Sequence, residues 1–117
     1  MTLSTSLKAE LSQRMAAWYE QEMGMLPSEV TITSEGEILF IRFKDVLSPS
    51  EINLSAQKAG RELIREVNER LCQQAFSRVK EIISELTGLE LLDLQVESNL
   101  LLHEKLYVLT LDRLLQE

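Results

Sequence analysis

Histidine and cysteine occur once each in this chain, at His103 and Cys72, and this bounds the chemistry it can support. A zinc site of the usual nitrogen and sulfur ligands needs several such residues, so none can be assembled within one chain and no metal is expected. A Ser-His-Asp arrangement would have to recruit His103, and no spacing in the chain supports that. Cys72 directly follows Leu71 at the edge of a helical stripe and reads as a passive, partly buried thiol. His103 reads as an exposed loop residue. The glycines Gly24, Gly36, Gly60 and Gly88 each fall at an element end or turn, so there is no glycine-rich phosphate loop. No catalytic residue and no cofactor are expected, and an enzyme is the less favoured reading.

Cations are the other group able to do chemistry. Between positions 58 and 80, Lys58, Arg61, Arg65, Arg70, Arg78 and Lys80 face only Glu62, Glu66, Glu69 and the neutral residues between them. Pairs such as Glu66 and Arg70 support a solvated helix by about 0.2 to 0.5 kcal/mol. The surplus nonetheless marks Arg61 and Arg65, near Gly60, as the place where a small anionic ligand would be held.

These residues must be positioned by a long helix. Leu63, Ile64, Val67, Leu71, Ala75, Phe76, Val79, Ile82, Ile83 and Leu86 recur in steps of three and four from Gly60 to Thr87, and Gly88 follows as a stop. Val67, Leu71, Phe76 and Val79 are the positions expected to be buried. Such a helix is roughly 40 Å long, so one hairpin cannot cover its whole apolar stripe.

The remaining elements follow in order. Leu7, Leu11, Met15 and Trp18 form the narrow stripe of a first helix ending near Gly24. Val30 to Val46 reads as a hairpin with a Glu35-Gly36 loop, setting Ile32 opposite Leu39 and Val30 opposite Ile41. Ile38 and Phe40 then lie on the second face, more apolar than a solvated face should be. Ser48-Pro49-Ser50-Glu51 is an N-cap signal in which Ser48 accepts from the helix and Glu51 reaches back to the Ser48 amide. It opens a short helix near positions 49 to 58. Leu92, Leu94 and Val96 alternate with polar residues as one strand, with Leu106 to Leu111 as its partner. The run Leu100, Leu101 and Leu102 between them folds back on the core or meets another surface.

The fold class expected is α+β: helix, β-hairpin, short helix, long helix, β-hairpin, with one four-stranded, mainly antiparallel sheet and the helices on one face. One domain spans positions 1 to 117, ordered over about 4 to 112. The chain's 117 residues carry a net charge of −7, which disfavours nucleic acid. A lone cysteine suits a reducing, cytoplasmic setting, and no apolar run is long enough for a transmembrane segment. The chemistry is sparse and the apolar surface is in surplus, so the first reading is a non-catalytic interaction module. It self-associates as a homodimer through Ile38, Phe40 and Leu100 to Leu102. The alternative is a small anionic-ligand binder or enzyme using Arg61 and Arg65.

At Leu47-Ser48-Pro49-Ser50-Glu51, Gly60-Arg61-Glu62-Leu63-Ile64-Arg65-Glu66 and Glu85-Leu86-Thr87-Gly88 the chain resembles the MpsC-like bacterial family. That family is named for a subunit of a proposed Na⁺-translocating, membrane-potential-generating system. The resemblance covers about positions 15 to 112. It implies an accessory link to ion or bicarbonate transport, and with it a membrane-protein partner.

Overall fold

The computed structural model describes residues 4–113. Helix α1 (Thr5–Met23) opens where the Ser4 hydroxyl accepts from the Leu7 amide at 3.1 Å, and it buries Leu11, Met15, Trp18 and Tyr19. Strands β1 (Val30–Glu35) and β2 (Ile38–Lys44) form the first hairpin. A six-residue helix α2 (Pro49–Leu54) precedes the 30-residue helix α3 (Lys58–Thr87). Strands β3 (Leu91–Asn99) and β4 (Glu104–Leu111) close the chain. The sheet is antiparallel throughout in the order β1-β2-β4-β3, so β4 is central, as its apolar residues on both faces imply. The fold is the expected α+β arrangement, with the helices on one side of the sheet.

Three local expectations are corrected. The first hairpin turns on Gly36-Glu37, with Gly36 at φ 61, and pairs Ile32 with Ile41 and Val30 with Phe43. Glycine at the first loop position suits a type II′ turn, which moves the register by two residues. A two-residue shift preserves the faces, so Ile32, Leu39, Ile41 and Phe43 still point to the core. In β3 a bulge between Leu91 and Asp93 breaks the alternation. Leu91 and Leu94 are therefore buried, whereas Leu92 is 57% exposed. The long helix starts at Lys58 and runs through Gly60, which is buried. A methyl group at Gly60 would stand 1.8 Å from the Leu54 carbonyl oxygen, so glycine is there to let α2 and α3 approach.

The core centres on four rings. Phe43 stacks on Tyr19 at 4.6 Å and meets Tyr107 edge-on at 4.9 Å, with Trp18 packed edge-on against Tyr107 at 5.9 Å. Ala75, Val79, Ile82 and Ile83 of α3 complete the core. The Tyr107 hydroxyl is buried without a hydrogen-bond partner among the described residues. Burial pushes both tyrosine hydroxyls far above their ordinary value of 10.0, helped at Tyr19 by the Glu51 charge. Burial also raises the Cys72 thiol above its ordinary 9.0.

The sign of the resulting pH dependence follows. Below these ordinary values the groups are neutral in both states. Above them the unfolded chain ionises and the folded chain does not, so unfolding releases protons and stability falls as pH rises. Urea midpoints should decline above about pH 9 to 10, and Tyr107→Phe should weaken that decline. A midpoint unchanged up to about pH 11 would contradict this account of the core.

Candidate functional site

At about 1.5 Å per residue α3 is roughly 45 Å long, and it outruns the sheet beneath it. Its C-terminal half supplies the core. Its N-terminal half buries Gly60, Ile64 and Asn68 but leaves the side next to them bare: Leu63 is 47% and Val67 45% exposed, and Leu71 is only half-buried. The expected burial thus holds for Val79, fails for Val67, and is partial for Leu71 and Phe76. The uncovered stripe, with Met25 from the α1–β1 connection and Leu54 from α2, frames a groove of about 270 Å³. Tyr19 and Met23 close it on the α1 side.

The groove is apolar at its rim and polar in its depth. Lys105 lies on the helix-facing side of β4, in line with Tyr107, Leu109 and Leu111, and its side chain is only 7% exposed. Its ammonium sits 3.7 Å from a Glu51 carboxylate oxygen, a charge pair rather than a direct hydrogen bond. Ser48 caps α2 as expected, its hydroxyl accepting from the Glu51 amide at 3.1 Å. The Glu51 carboxylate, however, faces Lys105, because a buried ammonium needs a counter-charge more than an exposed helix amide does.

A second cleft, of about 280 Å³, lies between α3 and β3. Arg61 and Arg65, one helical turn apart, line it together with Asn68, Ser98, Glu97 and Leu100. Asn68 is 4% exposed, and its amide nitrogen donates to the Ser98 hydroxyl at 3.0 Å while its amide oxygen has no partner among the described residues. Arg61 donates to the Ser55 carbonyl at 2.9 Å. Arg65 makes no hydrogen bond or ion pair among the described residues.

The structure therefore brings Arg61 and Arg65 to one cleft and separates the other expected site residues. Leu100 joins that cleft, while Leu101 and Leu102 are 94% and 56% exposed in the β3–β4 turn and do not fold back on the core. The turn is held by the Asn99 side chain, which accepts from the Leu102 amide, and His103 is exposed within it. Ile38 and Phe40 lie on the helix-free sheet face, half-buried, with Phe40 paired to Val108 and Ile38 to Thr110. Lys105 and Asn68 were not singled out by sequence reasoning, although both carried a signal. Lys105 shares the inward parity of β4, and Asn68 falls seven residues before the buried Ala75. Among the described residues no group of His, Cys, Asp and Glu is arranged to hold a metal ion. No helix there is long and apolar enough to cross a membrane.

Residues 4–113 match the family model described as Na⁺-translocating membrane potential-generating system (MpsC). The chain belongs to the MpsC family. This MpsC-family chain is also similar to the uncharacterized protein YbcI of Bacillus subtilis (strain 168), with 23% identity over 83 residues, covering 71% of this chain and 67% of that protein. No solved structure matches it.

Proposed function

We propose that this MpsC-family chain is a non-catalytic accessory module that works as a homodimer, with the α3 helices of two copies packed antiparallel across the groove. The observation that carries this reading is the stripe Leu63, Val67 and Leu71, exposed or half-buried on the side of α3 that faces the groove, next to the buried Ile64 and Asn68. The stripe is symmetric about Val67, so a two-fold axis there sets Leu63 of one copy against Leu71 of the other and satisfies the self-complementarity of an isologous interface. Glu66 and Arg70, ion-paired at 3.0 Å, flank the stripe with opposite signs. Antiparallel packing lays each beside its opposite on the second copy. The family's name supports setting this dimer beside a membrane ion-transport system, and the lone Cys72 suits a cytoplasmic accessory.

The test is native mass spectrometry with light scattering. A dimer is expected, and Val67→Lys should weaken it at least tenfold without lowering the monomer's melting temperature, since Val67 is already 45% exposed. Phe40→Lys, on the opposite sheet face, should leave the dimer intact. A monomeric wild type, or a dimer lost with Phe40→Lys and kept with Val67→Lys, overturns the reading.

A further inference from the structure

We propose that the α3–β3 cleft binds a small organic monocarboxylate that carries a hydroxyl or amino group beside its carboxylate. Two arginines line the cleft from successive turns of one helix; Arg61 holds the Ser55 carbonyl with one donor, and Arg65 spends none of its donors on the described residues. A planar fork left free in this way suits bidentate recognition of a carboxylate.

The second observation is Asn68. An amide oxygen buried without a partner among the described residues costs about 1 to 3 kcal/mol; Asn68 stands in the wall between this cleft and the neighbouring groove, its amide nitrogen donating to the Ser98 hydroxyl of the cleft. A donor on the ligand satisfies that oxygen. If the amide is turned over, its nitrogen donates to the ligand while its oxygen accepts from Ser98, because a hydroxyl can play either part. In both arrangements the ligand bonds the cleft through the Asn68 amide as well as through the arginines.

The charge balance narrows the class. Arg61 and Arg65 supply two positive charges for one carboxylate, and Glu97, also lining the cleft, can face a neighbouring hydroxyl or ammonium on the ligand, an arrangement that favours a single carboxylate over a phosphate dianion. Ile64, Val96 and Leu100 provide an apolar wall, and the volume of about 280 Å³ leaves room for a short branched carbon skeleton. The cleft adjoins the groove of the dimer, with Ile64 and Asn68 in the wall between them, whereas Arg65 and Ser98 line the cleft and not the groove.

The test uses the full chain and its ¹⁵N-labelled amide spectrum, titrated with 2-hydroxyisovalerate, valine, isovalerate and inorganic phosphate to about 10 mM, above the millimolar range of a weak specific site. The hydroxy or the amino acid should shift the Asn68 side-chain signals and the Ser98 amide. Arg65→Gln, an exposed change that leaves the melting temperature unaltered, should raise that Kd at least tenfold. Isovalerate, lacking the donor, should bind at least tenfold more weakly, and Val67→Lys should leave binding unchanged. No shift with either donor-bearing acid, equal binding to Arg65→Gln, or tighter binding of phosphate overturns the proposal.

Discussion

Replacing Gly60 with alanine lowers the unfolding free energy by about 3 kcal/mol, at the upper end of what overpacking ordinarily costs. Helix propensity alone gives the opposite sign, since alanine in a helix interior is favoured over glycine by about 1 kcal/mol. Space decides between them. The added methyl would lie 1.8 Å from the Leu54 carbonyl oxygen and 2.6 Å from its carbon, and these are backbone atoms that no rotamer change can remove. Relief requires α2 to move off α3, which carries Glu51 away from Lys105 and leaves a nearly buried ammonium without its counter-charge. Urea denaturation should show a lower midpoint at an unchanged slope. A midpoint equal to or above wild type would mean that α2 does not cross α3 at this distance.

Phe43→Ala is expected to cost about 4 kcal/mol, within the range for large-to-small core changes. Against a total of about 5 to 15 kcal/mol, that leaves a marginal fold. Phe43 is fully buried on a central strand and touches the Tyr19 and Tyr107 rings, so its removal takes away the ring through which α1 grips the sheet. The lost volume lies between a helix and a strand held from both sides and cannot readily collapse. Thermal and urea melts measure the change. A cost below about 1.5 kcal/mol would mean that the four rings do not form the centre of the core.

The elements were legible wherever a local signal is also the physical cause. Ser48 and Pro49 start α2 because a hydroxyl cap and a missing donor suit the first turn in any context. The strand faces of the first hairpin were legible for the same reason, since alternation does not depend on register. The register did depend on whether Gly36 stands first or second in the loop, and Gly36 at φ 61 standing first decides it. Leu92 could not be placed by alternation because the bulge beside it adds a residue that no pattern of polar and apolar types reveals.

Val67 shows a different limit. Its place on the helical stripe was evident, but which side of that stripe the sheet and α1 cover is set by where they lie in space, and Ile64 and Asn68 beside it are buried while Val67 is not. Arg61 and Arg65 were found by charge, whereas the cleft between them and β3 required the long-range pairing of Asn68 with Ser98, thirty residues apart. Lys105 went unnoticed because the inward parity of β4 becomes meaningful only once the strand is known to begin at Glu104.

The bulge in β3 bears on how copies of this chain can meet. β3 is an outer strand of nine residues, long enough for its free backbone to recruit another chain and continue the sheet without end. The bulge breaks the even row of amides and carbonyls at the start of this edge, and along the rest of it Asp93 and Glu97, both exposed, would confront their own kind across such a seam. Open-ended stacking through this edge is thereby penalised, which agrees with the proposed pairing of copies through their helices.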